Sequence, residues 1–174
     1  MTPLQTVTYN HATLTASSAL FDCINNAYTV EKHNGPFAFK NCDRFLSITQ
    51  LTSYFLTGYF LCVYNQPSNE LVGTIYYTTT QPKATFGPLA VNPLYQHQSI
   101  GSTLINTVES ICQLQGCKTI EIAMASARSD LLPFYQHLGY CINKTNLDPA
   151  LFNLTSNQLT QPITFLTLIK SLTN

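Results

Sequence analysis

A strand, a polar loop, an amphipathic helix and a second strand follow one another without interruption between residues 84 and 125. The first strand, ATFGPLAV (84–91), is largely apolar, and the helix that follows the loop keeps its apolar residues on one face. The second strand, KTIEIAMA (118–125), alternates apolar and polar residues. A strand–helix–strand segment of this length is typical of a crossover between parallel neighbours. The segment therefore predicts a parallel strand pair inside a larger sheet.

The rest of the chain adds strands that follow one another closely, which predicts antiparallel hairpins. The further strands are predicted at 4–9, 59–64, 70–80, 141–145 and 163–170, and the further helices at 15–28, 43–58 and 129–140. Asp43 and Ser129 are the N-cap candidates of the last two helices. This order predicts a mixed α/β (α+β) fold in one domain, 1–174. Its mostly antiparallel, twisted sheet has about seven strands, with helices on both faces.

Charge limits the function classes that fit this chain. Only 9% of the residues are charged and the net charge is zero, so a basic surface for nucleic acid is not expected. No apolar run reaches the roughly 20 residues that span a bilayer, and no signal-peptide pattern opens the chain. We therefore expect a cytoplasmic protein, a monomer or a homodimer, with no nucleic-acid or membrane partner.

Six cysteines and four histidines are scattered without the spacing of metal ligands, so no metal site is predicted. Most of the cysteines lie within apolar runs, which indicates buried thiols in a reducing compartment. A covalent acyl-enzyme would need a cysteine paired with a histidine, and the sequence shows no such pair.

The loop between the first strand and the helix is a candidate anion site. The first N–H groups of a helix have no partner within the helix, and the helix dipole adds partial positive charge there. The stretch QHQSIGS (96–102) has one glycine and no lysine, so it does not match the nucleotide-binding pattern G-x-x-x-x-G-K-[ST].

Two separate motifs resemble the GNAT superfamily of acyl-CoA-dependent N-acetyltransferases. LAVNPLYQHQSIGSTLI (89–105) is similar to the acyl-CoA loop of that family, which reads Gln or Arg, two residues, Gly, one residue, Gly or Ala. RSDLLPFYQHLGY (128–140) is similar to a later helix that ends in Tyr, three residues, Gly and an aromatic. The resemblance covers about 70 to 145. It implies a V-shaped splay between strands 84–91 and 118–125, with acetyl-CoA as co-substrate in the gap.

The resemblance implies which residues bind the cofactor. They are Leu89, Ala90, Val91, Gln96, His97, Gln98, Ser99, Ile100, Gly101, Ser102, Arg128, Leu131 and Phe134. Gly87-Pro88 fits the same picture, since a proline without an N–H belongs at a bulge or at an unpaired edge of a sheet.

Two residues depart from the family pattern. Ser99 stands where the family usually has glycine, and a serine held at positive φ costs about 1–2 kcal/mol. With an ordinary φ, its hydroxyl could instead donate to a phosphate oxygen. Arg128 stands where many members have asparagine, and it either reaches the cofactor or solvates the start of the helix.

The resemblance also implies a direct transfer, in which a neutral primary amine attacks the thioester. Tyr135 stands at the position of the general acid, although a packing role is the alternative. The backbone N–H of Leu89 or Val91 would stabilise the oxyanion. Glu121 is the only carboxylate on strand 118–125, and it either acts as the base, directly or through water, or faces solvent.

The acceptor site is predicted from the first two helices, the middle strands and the loop 146–161. Candidate linings are Tyr28, Glu31, Phe55, Tyr76 and Tyr77, although Tyr28 and Phe55 could equally be core residues. An aromatic, weakly charged pocket favours a small or amino-acid-like amine. A non-catalytic acyl-CoA-binding module and an enzyme that acts on a protein N-terminus or lysine are the alternatives.

Overall fold

The computed structural model describes residues 6–29, 44–66, 68–152 and 163–172. Its strands are β1 (Thr6–His11), β2 (Tyr59–Gln66), β3 (Glu70–Thr80), β4 (Lys83–Val91), β5 (Thr119–Ala125), β6 (Cys141–Leu147) and β7 (Phe165–Ser171). Its α-helices are α1 (Ser17–Tyr28), α2 (Ile48–Thr52), α3 (Ile100–Leu114) and α4 (Leu132–His137). No described helix has both the length and the apolar character needed to span a membrane.

The strands form one sheet in the order β1-β2-β3-β4-β5-β7-β6. Every neighbouring pair is antiparallel except β4 and β5, which are parallel and joined by α3. This confirms the predicted mixed, mostly antiparallel fold. The β4–β5 register ends at Phe86 and Ile122, although β4 continues to Val91 and β5 to Ala125. The two strands therefore part at their carboxyl ends, where the V-shaped splay was expected.

Helices cover both faces of the sheet because each presents one apolar side. On one face α3 buries Leu104, Ile105 and Val108 against the middle strands. On the other face α1 buries Leu20 and Ile24 in a second cluster. Two cores on opposite sides hold the central strands rigidly and leave the gap between β4 and β5 as the place where a ligand can enter.

The helix predicted over 43–58 is shorter than expected and begins later. The α-helix begins only at Ile48, where the hydroxyl of Ser47 accepts a hydrogen bond from the N–H of Gln50 at 3.1 Å. A 3-10 turn, Ser53–Leu56, continues it. The predicted cap, Asp43, lies outside the described residues.

The reason for the late start is a contact with α1. The side chain of Asn25 donates to the carbonyl of Phe45 at 3.0 Å and accepts from the N–H of Phe45 at 3.0 Å. Both backbone groups of Phe45 are therefore used, and neither can join a helical ladder. The start of the helix therefore depends on a buried amide twenty residues away in the chain. Helical periodicity does not reveal such a contact.

The last predicted helix, 129–140, is also shorter than expected. Residues Ser126–Leu131 form 3-10 turns, and the α-helix covers only Leu132–His137. Ser129 therefore lies within the turns and is not the N-cap of the helix. Arg128 has φ −98° and ψ 44°, so the backbone leaves helical geometry at that residue. The result is a compact corner that places the following side chains over the end of β5.

Candidate active site

A cavity of about 690 Å³ opens where β4 and β5 part. Its lining comes from the end of α1, the second half of β4, the loop before α3, the end of β5 and the corner that leads into α4. The lining residues are Ala27, Tyr28, Gly87, Pro88, Leu89, Ala90, Val91, Tyr95, Gln96, His97, Ser99, Ile100, Gly101, Ser102, Ile122, Ala123, Met124, Ala125, Arg128, Asp130, Leu131, Phe134 and Tyr135. This volume is typical of a site for a small molecule or cofactor.

The structure brings the predicted cofactor residues together. All of them line the cavity except Gln98, although they come from three separate parts of the chain. The sequence analysis did not name Ala27, Tyr95 or Asp130 as lining, although each of them stands next to a residue that it did name.

The loop before α3 and the first turn of α3 line the cavity. Helix α3 begins at Ile100, and the first bond back to the loop joins the N–H of Thr103 to the carbonyl of Ser99 at 3.0 Å. The N–H groups of Gly101 and Ser102 precede that bond, in the first turn, where a helix has no partner for them. Together with the helix dipole, these N–H groups make the start of α3 a suitable binding site for a phosphate group.

The φ angle of Ser99 decides whether this residue is strained or has an ordinary backbone conformation with its hydroxyl available to a phosphate. Ser99 has φ 60° and ψ 10°, which is the left-handed region, and its side chain makes no capping hydrogen bond. A non-glycine residue there costs about 1–2 kcal/mol. His97 also has φ 60°, which the sequence did not reveal, so the loop holds two strained residues.

Replacing Ser99 with glycine should stabilise the protein. Glycine adopts a positive φ without strain but loses more entropy on folding, so we expect a net gain of about 0.5–1 kcal/mol in the free energy of unfolding. Thermal melting measures it as a rise of about 1–4 °C. A lower melting temperature would show that the left-handed serine is held by contacts stronger than its strain.

Gly87 and Pro88 form a bulge in β4. Ile75 pairs with Leu89 and Tyr77 with Phe86, which leaves the two bulge residues opposite Tyr76 alone. Pro88 is not on an edge strand, because β4 lies between β3 and β5 in the sheet. It lies in the part of β4 that has no pairing with β5, since that pairing ends at Phe86. Gly87 has φ 127°, and a Cβ there would meet no atom within 4 Å. Both bulge residues line the cavity.

Tyr135 is buried on α4 and lines the cavity. Its ring packs against Phe134, with ring centroids 5.1 Å apart, and more loosely against Phe86 and Tyr140. Burial raises the pKa of its hydroxyl well above the ordinary tyrosine value, and the Tyr28 phenol contributes in the same direction. The hydroxyl is therefore protonated at neutral pH and can donate a proton to a group in the cavity.

The sequence model of the acetyltransferase (GNAT) family matches residues 24–140, which is more than half of the chain. The chain belongs to the GNAT acetyltransferase family. A comparison by sequence with curated proteins gave no significant match.

Solved GNAT structures share the fold along nearly their whole length. The PaiA N-acetyltransferase from Thermoplasma acidophilum, in complex with coenzyme A, has a TM-score of 0.74 at 15% identity and covers 96% of this chain and 99% of its own. The ribosomal-protein-S18-alanine N-acetyltransferase from Escherichia coli gives 0.72 at 14%, covering 97% and 96%. Ard1 from Thermoplasma volcanium gives 0.69 at 13%, covering 97% and 99%.

Arg128, at a position where many GNAT members have asparagine, forms an ion pair with Asp130 inside the cavity lining. Its Nε and one terminal nitrogen donate to the two carboxylate oxygens of Asp130, each at 2.9 Å. The bond from Arg128 lowers the pKa of Asp130 below its ordinary value. The GNAT cavity therefore contains a fixed charge pair beside Tyr135, and Asp130 is a lining residue that the sequence analysis missed.

Glu121, the carboxylate expected on β5, is not among the residues that line the cavity. Its Oε2 accepts a hydrogen bond from the side-chain amide of Asn143 on β6 at 2.6 Å. The acid is thus held toward the β6 side of the sheet. A direct contact between Glu121 and an amine in the GNAT cavity has no support in this geometry, and a role through water remains a prediction.

Of the predicted acceptor residues that the structure describes, only Tyr28 lines the cavity. Phe55 and Tyr76 pack on Phe60 in the core beneath α1, with ring centroids 5.2 and 5.0 Å apart. Tyr77 is buried on the opposite face, where its hydroxyl bonds to His11 at 2.8 Å. Glu31 and residues 153–161 of the predicted loop lie outside the described residues. The predicted acceptor residue that does reach the cavity therefore lies at the end of α1.

Proposed function

We propose that this protein transfers the acetyl group of acetyl-CoA to a primary amine of a small or amino-acid-like molecule. One observation carries the proposal: the start of α3 and the buried hydroxyl-bearing ring of Tyr135 face one continuous cavity between the parting strands. GNAT acetyltransferases use acetyl-CoA, and the family match supports the same donor here. The cavity also suits such a ligand, because the first turn of α3 offers N–H groups that have no partner within the helix and the strands offer an apolar gap.

Each part of the cavity has a task in this proposal. The loop 96–102 would hold the diphosphate, while Leu131 and Phe134 would flank the rest of the donor. Acetyl-CoA supplies the reactive thioester. The N–H groups of Leu89 and Val91 would stabilise negative charge on the thioester oxygen, because backbone donors fixed before the reaction need no reorganisation. The amine nitrogen would bond to the thioester carbon as the carbon–sulfur bond breaks, and Tyr135 would give its proton to the departing sulfur. The proton lost by the nitrogen would pass to water, and water would restore the phenol.

The acceptor class is inferred from the lining at the end of α1. Ala27, Tyr28, Ala123 and Ala125 present an apolar surface there, and the carboxylate of Asp130 is already paired with Arg128. Such a surface suits a small amine with an apolar or aromatic body more than a highly charged one. A second candidate is the α-amino group of a protein, since one structural neighbour is by name an N-acetyltransferase for an alanine of ribosomal protein S18.

A thiol-release assay with matched acceptors tests the proposal. We expect acetyl-CoA to release free thiol in the presence of small primary amines, with the acetylated product identified by mass spectrometry. Peptides that begin with alanine, serine or methionine, and the same peptides with a blocked N-terminus, form the comparison set. Faster release with the free peptides would favour the second candidate. No amine-dependent release from any member would contradict the proposed transfer.

A further inference from the structure

The loop that presents the start of α3 needs support, because His97 and Ser99 are both left-handed without being glycine. Two supports are internal to the segment. The side-chain oxygen of Asn92 accepts from the N–H of Leu94 at 3.0 Å, and the amide of Gln96 donates to the carbonyl of Val91 at 3.2 Å. These bonds tie the segment to itself and to the end of β4, but not to the rest of the sheet.

The segment is joined to β3 by the N–H of Asn92, which donates to the carbonyl of Val72 at 2.9 Å, and by the side chain of Glu70, the first residue of β3. Its Oε2 accepts from the hydroxyl of Tyr95 at 2.8 Å, and its Oε1 accepts from the side-chain amide of Asn92 at 3.3 Å. The two donors stand at the two ends of the short turn Pro93–Tyr95, between Asn92 and the loop. One carboxylate therefore holds both ends of the turn that leads into the loop.

Tyr95 connects Glu70 to the cavity. Its side chain is buried and lines the cavity, whereas Glu70 is exposed and does not. The hydroxyl of Tyr95 also accepts from the amide of Asn65 on β2 at 3.4 Å. The hydrogen bond to Glu70 raises the pKa of Tyr95, so the hydroxyl remains a donor at neutral pH. The ring of Tyr95 is thus buried, and its hydroxyl has two hydrogen-bond partners.

The negative charge of Glu70, taken alone, would weaken the binding of a diphosphate at the loop. A carboxylate repels a diphosphate, so electrostatics predicts tighter binding of the ligand when the charge is removed. Positioning predicts the opposite, because a turn that loses both hydrogen bonds no longer holds the left-handed loop in one conformation. The two effects have opposite signs and can be separated by substitution.

We propose that Glu70 is a positioning residue for the cofactor loop and acts through Tyr95 and Asn92, in a chain whose loop has serine where glycine is usual. The proposal rests on the proposed function, because it assumes that the loop binds the diphosphate of acetyl-CoA. Glu70 itself touches neither the ligand nor the reacting atoms.

The test is the affinity for coenzyme A, measured by titration calorimetry on the wild type, Glu70→Ala, Tyr95→Phe and the double variant. We expect Glu70→Ala to raise Kd by about tenfold, since two hydrogen bonds are lost, while kcat at saturating acetyl-CoA stays within about twofold. Tyr95→Phe should raise Kd by less. The double variant should match Glu70→Ala alone, because both substitutions break the same connection. Glu70→Gln keeps one acceptor oxygen and should lie between the wild type and Glu70→Ala.

Glu109→Gln is the matched control, since Glu109 also accepts from a tyrosine hydroxyl, that of Tyr140 at 2.7 Å, but outside the cavity lining. It should lower the melting temperature and leave Kd unchanged. Unchanged or tighter binding in Glu70→Ala, or additive effects in the double variant, would overturn the positioning role. A wild type that does not bind coenzyme A would instead contradict the proposed function, so the two failures are distinguishable.

Discussion

Replacing Tyr135 with phenylalanine should lower kcat by about 10²- to 10³-fold while the affinity for acetyl-CoA changes by less than about twofold. The substitution removes one hydroxyl from a ring that packs on Phe134 and lines the cavity, so packing survives and only the proton donor is lost. Steady-state kinetics with a saturating amine, together with calorimetric titration of coenzyme A, measures both quantities.

The pH dependence follows from the same environment. Burial raises the pKa of Tyr135, so the acid form is present throughout the neutral range and is lost only above the pH at which an ordinary tyrosine ionises. Among the described residues, Tyr28, Arg128 and Tyr140 lie around it, and Asp130, His97 and Tyr95 line the same cavity. An alkaline decline of kcat near neutral pH would therefore have to come from another group.

Tyr140→Phe is the matched control for this prediction. Tyr140 is equally buried, but its hydroxyl donates to Glu109 at 2.7 Å, and the residue does not line the cavity. Its loss should lower the melting temperature and leave kcat nearly unchanged. If Tyr135→Phe keeps the wild-type rate, or if Tyr140→Phe loses as much activity, Tyr135 is not the acid.

Replacing Gly101 with glutamate should weaken the binding of coenzyme A by about 100-fold or more. Gly101 lies in the first turn of α3 and lines the cavity, where the diphosphate is expected. Repulsion between two unit charges about 4 Å apart in a partly screened site amounts to about 4 kcal/mol, which corresponds to more than 100-fold in Kd. Calorimetric titration measures the change.

Two further substitutions at this position separate charge from bulk. A Cβ at Gly101 would lie 3.8 Å from Leu89 and from Phe134, and 3.9 Å from Val91, which is ordinary contact, so the fold should tolerate alanine. Gly101→Gln has the size of glutamate without its charge and should weaken binding far less. Equal affinity in the glutamate and glutamine variants would show that no anionic group approaches this turn.

Local patterns predicted the elements that position the site. The apolar strand, polar loop and helical spacing over 84–125 gave β4, α3 and β5 nearly at their observed bounds, because each is stabilised by a simple burial pattern. The two motifs also placed the loop and Tyr135 on the same cavity. Sequence spacing works here because parallel strands joined by a helix must bring their carboxyl ends to one edge of the sheet.

Contacts between distant residues explain what the sequence could not predict. Asn25 holds Phe45 out of α2, and Glu70 supports a turn twenty-two residues later in the chain. The sequence also left both conformations of Ser99 open, since a serine does not reveal its own φ. The strand alone left Glu121 either as the base or facing solvent, and its bond to Asn143 depends on how β6 pairs with β7. These contacts exist only in the folded sheet, so local sequence patterns do not predict them.

A crystal structure with acetyl-CoA bound tests the central claim most directly. We predict that the diphosphate accepts hydrogen bonds from the N–H groups of Gly101 and Ser102, and that the sulfur lies within hydrogen-bond distance of the Tyr135 hydroxyl. Ser99 should keep its left-handed conformation. A diphosphate bound elsewhere, or a thioester that does not enter the gap between β4 and β5, would contradict the account.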